Sequence, residues 1–306
     1  MVVVLVDVEK LKQNIKDRRE KANKTAEEAE KVKEKPKPKP KVKSLFEYDE
    51  LKMYFGEPYH VTDKITITQP TIGNILDMGD SQFYNVIYTL CANTTSFRLQ
   101  LWDAGIDWND YSDYELFSNL IKGLQPEDTY LLFGDLNLSW FEMVYDKEND
   151  CNTLIYIPRD EEGNLLEDYN YEDTIIIDET TYLKISDYLR HMFDIHPKNE
   201  FAKNKTTKMA IIEEERMNLE NEKRKNKNDN SSNSPLLPLI SSMVNHPGFK
   251  YRKNELKEVG IVEFMDSVKR LQTYENATAL IKGMYSGMID ASKINQEEFN
   301  WMRSFD

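Results

Sequence analysis

The sequence predicts an α+β protein, mostly helical, in which an acidic mixed domain with short strands precedes a small C-terminal helical domain, both flanked by flexible lysine-rich linkers. Three observations carry this expectation. First, two lysine-rich seams, 34–43 (EKPKPKPKVK) and 221–235 (NEKRKNKNDNSSNSP), divide the 306 residues into parts of unlike charge. Residues 1–43 hold 14 basic and 8 acidic side chains, 44–199 hold 9 and 30, 200–230 hold 8 and 7, and 231–306 hold 9 of each. The net charge of −14 is therefore an average over dissimilar pieces. Second, 25 of the 34 aromatic residues fall within 44–199, so the most acidic block is also the one best able to bury surface, unlike an acidic disordered tail. Third, apolar spacing alternates over short runs in the middle of the chain and steps by threes and fours near its end, the periods of strand and helix respectively.

The predicted parts are a basic arm at 1–43, an acidic aromatic-rich α+β domain at 44–199, a charged helix and flexible linker at 200–234, and a helical domain at 235–306. In the arm, 2–6 (VVVLV) reads as a short strand, and 9–33 as a helix too sparse in apolar positions to stand alone. Lys35, Lys37, Lys39 and Lys41 then alternate with Pro36, Pro38 and Pro40, favouring an extended spacer of roughly 3 Å per residue. The spacer reads as a solvated tether, with a basic docking strand for an acidic partner as the alternative.

In the acidic block, Leu45, Tyr48, Leu51 and Tyr54 recur at helical spacing until Gly56-Glu57-Pro58 stops them. Val61 and 64–68 (KITIT) alternate as a strand, and Pro70-Thr71-Ile72-Gly73 opens a helix that ends at Gly79. Asp80 or Ser81 is placed to cap a helix over 82–91, with Phe83, Val86, Ile87 and Leu90 on one face. Helices are expected at 96–104, 112–124 and 180–193, the last closed by Pro197. Strands are expected at 130–133, 141–145, 153–157 and 174–177, the middle pair forming a hairpin about DKENDCN. Residues 200–230 read as an exposed charged helix fading into a linker. Beyond Pro235, the positions Ile261, Phe264, Val268, Leu271, Tyr274, Thr278, Ile281, Tyr285 and Met288 line one stripe of a long or once-broken helix. Gly283 and Gly287 permit a kink or close contact near its end, and 297–305 adds a short amphipathic turn. The stripe either packs internally or docks a partner helix. Ile261, Phe264, Val268, Leu271, Ile281 and Tyr285 are its candidate interaction residues.

Bulk properties exclude several classes. Cys91 and Cys151 lie far apart in the sequence, outside any CxxC, which argues against a disulfide framework and for a reducing compartment. The opening MVVVLVDV lacks a basic flank and a cleavage site and reads as neither signal peptide nor membrane span. The expected protein is soluble and intracellular, and its negative charge disfavours nucleic-acid binding.

Candidate chemistry is sparse. The stretch 102–113 (WDAGIDWNDYSD) offers four aspartates to a hard cation, but its spacing matches no known loop, and Gly105 as a helix stop with Ser112 or Asp113 as the next cap explains it better. Asp135, Asn137 and Ser139 echo the first ligands of an EF-hand loop, yet Trp140 stands where glycine is required and Asp146 where a bidentate glutamate is required, leaving a strand end and turn as the reading. His191 and His196 are spaced i, i+5, which turns the second ring off the face that a zinc pair needs, and they read as helix-end histidines. His60 and His246 are isolated. No GxSxG elbow, Walker loop, GxGxxG or HExxH occurs. No catalytic, cofactor-binding or metal-ligating residue is assigned, and no enzyme activity or cofactor is expected.

Four phrases stand out together: 54–79 (YFGEPYHVTDKITITQPTIGNILDMG), 101–117 (LWDAGIDWNDYSDYELF), 131–139 (LLFGDLNLS) and 274–303 (YENATALIKGMYSGMIDASKINQEEFNWMR). As a set they resemble phage and prophage proteins from the tail-morphogenesis gene clusters of phages of Gram-positive hosts. The resemblance implies a non-enzymatic morphogenesis protein of tail assembly chaperone type, working in the host cytoplasm on phage tail proteins such as the tape measure or tail tube, with no membrane partner. Its alternative is a structural virion component, for example a tail, connector or baseplate subunit.

Overall fold

In the computed structural model, the residues described are 46–146, 151–159, 174–228 and 234–305. The expected strand at 2–6, helix at 9–33 and Lys/Pro spacer at 34–43 lie outside them, as do the hairpin turn at 147–150 and the polar stretch at 229–233.

Helix α1 (Glu50–Tyr54) starts later than the periodicity implies, where the Asp49 carboxylate accepts from Lys52 N at 3.1 Å. Gly56, at φ +73°, follows its end. Strands β1 (Tyr59–His60) and β2 (Thr66–Ile67) pair antiparallel, Tyr59 opposite Ile67, and the alternation in KITIT buries Ile65 and Ile67 while Lys64 faces solvent. Helix α2 (Ile72–Met78) begins at a reciprocal cap between Thr71 and Asn74 and stops at Gly79, φ +97°. Gly79 also caps α3 (Asp80–Cys91), so Asp80 falls inside the helix, not ahead of it as expected. Phe83, Val86, Ile87 and Leu90 form the expected buried face. Helices α4 (Arg98–Asp103) and α5 (Asp113–Leu120) are separated by a loop that leaves Gly105 at φ +79°. The Ser112 hydroxyl caps α5, with Glu115 closing the reciprocal bond.

The strand expected at 130–133 is instead the last turn of α6 (Pro126–Phe133). Pro126 at the first helical position, the bonds between Gln125 and Asp128, and Gly134 as C-cap outweigh the bare apolar run YLLF. Consequently the Asp135–Ser139 stretch follows a helix rather than a strand end. Strand β3 (Phe141–Asp146) pairs with β4 (Cys151–Tyr156), and β4 with the two-residue β5 (Ile176–Ile177), giving an antiparallel order β3-β4-β5. The buried Tyr114 hydroxyl on α5 donates to Ile177 O at 2.6 Å and accepts from Leu154 N at 2.9 Å, tying helix to sheet between β4 and β5. Helix α7 (Glu179–Phe193) is capped by Asp178 and closed by Asp194 in the left-handed conformation (φ 54°), three residues before the Pro197 expected to close it.

Helix α8 (Lys205–Asn228) occupies the expected charged segment, and α9 (Leu237–Asn245) and α10 (Ile261–Tyr285) follow. Short 3₁₀ turns at Ala291–Lys293 and Gln296–Phe299 make up the tail. The segment from 235 onward, expected as a helical domain, shares one core with the acidic block. Leu236, Met243, Leu256, Val259, Ile261 and Phe264 join the same buried cluster as Ile67, Ile72, Phe83, Phe141 and Tyr182, within one compact unit. The two parts are joined by backbone hydrogen bonds: Ile72 N donates to Val259 O at 2.9 Å and Ile261 N to Pro70 O at 3.1 Å, flanking a bridge between Thr71 and Gly260. A Cβ at Gly73 would lie 2.8 Å from Lys257 O, so only glycine permits this approach. The Asp80 carboxylate also receives Leu236 N at 3.2 Å and the Ser234 hydroxyl, fixing where the chain returns to the body.

Candidate interaction surface

The predicted stripe on α10 divides in two. Ile261, Phe264 and Val268 are core residues, and Leu271 is partly buried against them. These four candidates serve packing, because the backbone pairing at 259–261 aims the first turns of α10 into the body. Beyond Leu271 the helix leaves this core: Ala277 is buried outside the cluster, Ile281 is half-buried and Tyr285 is 82% exposed, with Met288 beyond it at 86%.

The two glycines near the helix end serve a reversal of the chain. Met288 N and Ile289 N both donate to Gly283 O, at 3.0 and 3.2 Å, and Gly287 sits at φ +74°. A Cβ on Gly283 would lie 2.4 Å from Ile289 Cδ1, so its absence admits Ile289 against the helix. The tail then runs back along α10. Trp301 meets Tyr274 edge-on with centroids 5.7 Å apart, and the Arg270 guanidinium lies 4.1 Å from the centre of the Phe305 ring while donating to Arg303 O at 2.6 Å. Tyr274, Tyr285, Met288, Trp301 and Met302 remain exposed as large apolar side chains on this helix end and tail. Aromatic and methionine side chains are over-represented in the centres of protein interfaces, and methionine adapts to irregular partners. Trp301 and Met302 were not among the candidates the sequence singled out. Their place depends on the reversal at 283–289, for which Gly283 and Gly287 were the only signal.

The remaining candidates do not converge. Asp103 pairs with Arg216 and Asp107 with Lys208, while Asp113 accepts from Thr94 N at 2.7 Å, so three of the four aspartates in 102–113 are occupied by the protein. The Lys208 hydrogen bond leads the effects that hold the Asp107 carboxyl below the usual range, against a smaller opposing effect of burial. Asn137 Oδ1 accepts from Ser139 N and Oγ in a 3₁₀ turn, which is local capping. His191 lies against Tyr48, with ring centres 5.8 Å apart, while His196 contacts Asp194 at 2.9 Å. Among the described residues no group of three or more His, Cys, Asp or Glu side chains could hold a metal ion, and no helix is long and apolar enough to cross a membrane.

An open groove of about 510 Å³ runs beside the end of α3, lined by Asn85, Tyr88, Cys91, Phe97, His196 and Pro197 among others. Burial pushes the Cys91 thiol up to about 12, partly offset by the Arg190 guanidinium, so it is protonated at neutral pH and not a nucleophile. Arg190 itself donates to Cys91 O and Ala92 O at 2.9 and 3.0 Å, engaging carbonyls at the end of α3.

No family model, curated protein or solved structure matches this chain. Any functional reading therefore rests on its residues, its geometry and the resemblance of the four phrases.

Proposed function

We propose that this protein is a non-enzymatic phage morphogenesis factor, of tail assembly chaperone type, that holds another tail protein on the exposed end of α10 and its returning tail. The observation that carries the reading is the division of one helix: its first turns are fixed in the core, while Tyr285, Met288 and Met302 stand 82%, 86% and 69% exposed on its far half and tail. A rigid element that presents a set of apolar side chains to solvent suits the capture of an amphipathic helix before assembly. The phrase 274–303, one of the four that resemble tail-cluster proteins, contains Tyr274, Ile281, Tyr285, Met288, Trp301 and Met302, so the familiar segment and the exposed surface coincide. The expected partner is a tape measure or tail tube protein, met in the host cytoplasm. Affinity purification from infected cells should recover that partner, and mass spectrometry of finished particles should lack this chain. Its presence in particles at fixed copy number would favour a structural virion component instead, and recovery of no tail protein would contradict both readings.

A further inference from the structure

Helix α8 is held by a different set of forces from the rest of the body. Outside the main core lies a small second cluster, Leu99, Leu101, Trp108 and Leu116, to which α8 contributes one buried side chain, Ile212, and the preceding segment contributes Ala202. Ile211 packs partly buried against the same cluster, and the other side-chain attachments of α8 are charged. Glu215 pairs with Arg98, which also holds Glu200; Lys208 pairs with Asp107 and lies 5.7 Å from the centre of the Trp108 ring; and Arg216 pairs with Asp103. The segment just before α8 shares one of these pairs, Glu200 with Arg98, but is otherwise held by uncharged bonds. Asn93 Nδ2 donates to Lys198 O at 2.9 Å, Trp108 Nε1 to Glu200 O at 3.2 Å and Asn109 Nδ2 to Ala202 O at 2.7 Å.

The change in bonding falls at Lys203 and Asn204, both exposed, with Asn204 Oδ1 accepting from Thr207 N at 2.8 Å to start the helix. Downstream, Asp80 fixes the chain again at 234–236. We infer that α8 is a strap, hinged at Lys203 and Asn204 and latched by charge over the apolar face of Leu99, Leu101, Trp108 and Leu116, and that it opens as a unit while 198–202 stay bound. Partly exposed ion pairs weaken as salt shortens the screening length from about 10 Å at 0.1 M to about 3 Å at 1 M, whereas the uncharged ties and the main core do not depend on them. The inference is independent of the tail-protein reading.

Hydrogen exchange on the full chain tests it. Between 50 mM and 1 M NaCl, amides of 208–216 should exchange on the order of tenfold faster, while α7 and 198–202 keep their protection. Asp103→Lys, a surface change, should produce the same loosening at low salt, and adding Arg216→Asp should restore protection by reversing the pair. Protection of 208–216 that stays parallel to that of α7 in high salt would overturn the inference, as would failure of the reversed pair to restore it. If either variant misfolds, the salt comparison on the unaltered chain decides.

Discussion

The Gln69 carboxamide occupies the space that a side chain at residue 260 would need: a Cβ on Gly260 would lie 2.2 Å from Gln69 Oε1. That carboxamide donates to Met53 O at 2.6 Å and accepts from Val262 N at 3.3 Å, so one side chain joins the end of α1 to the first turn of α10. The contact spans 193 residues and lies beside the backbone pairing at 70–72 and 259–261.

Gly260→Ala should therefore push the Gln69 carboxamide off its hydrogen bonds to Met53 O and Val262 N and destabilise the fold by about 1–3 kcal/mol. Adding Gln69→Ala should recover part of this loss, because the two changes share one space and are not additive. Urea unfolding of the two single variants and the double variant measures the coupling; additive losses would contradict the contact.

Phe264→Ala should cost about 3–5 kcal/mol, as expected for emptying a fully buried aromatic site. Because Phe264 shares its cluster with Phe83 and Ile72, the loss should appear in one transition reported alike from the acidic block and the C-terminal segment. Two separate transitions, only one of them shifted, would show that the halves fold independently.

Tyr114→Phe should cost about 1–3 kcal/mol, since it leaves Leu154 N and Ile177 O without the hydroxyl they share inside the protein. Burial pushes that hydroxyl up to about 12, so the loss should be constant from pH 6 to pH 9 in denaturant titrations.

Asp194 predicts a pH dependence. Burial opposes its ionisation, but the hydrogen bond and charge of Lys269, reinforced by His196, hold its carboxyl below the ordinary value of 3.8. A lowered folded-state value means that the stabilisation is present above about pH 3.8 and is lost as pH falls through the lower folded value. Asp194→Asn, which keeps a residue tolerant of the left-handed conformation, should be less stable than the parent at pH 6. The gap should narrow as acid is added below pH 3.8. A gap unchanged down to pH 2.5 would exclude the link between α7 and α10 as its source.

Local signals in the sequence are complete where the cap and the apolar face agree. Thr71 with Asn74, Ser112 with Glu115, and the Phe83–Leu90 stripe each specify an element within a few residues, and the structure contains them. The run YLLF is ambiguous by itself, because four consecutive apolar residues fit a buried strand as well as a buried helix turn; Pro126, Asp128 and Gly134 held the deciding information. The shared core was not legible, since the lysine-rich seam has the composition of a linker and the contacts that join the two parts, Gln69 with Gly260 and Asp80 with Leu236, are distant in sequence. The α10 stripe was legible as a helix face but not in its division, because nothing in its spacing marks where the body ends and the returning tail begins.

The central claim concerns the exposed half of that helix, and it is tested by capturing partners from infected cells with the unaltered chain, with Tyr285→Asp/Met288→Asp, and with a control exposed elsewhere, Phe201→Asp, in the irregular segment before α8. Tyr285 and Met288 are solvent-facing, so the double variant should keep the parent's melting temperature and lose the captured tail protein, while the control retains it. Equal recovery of the tail protein by all three chains would contradict the account.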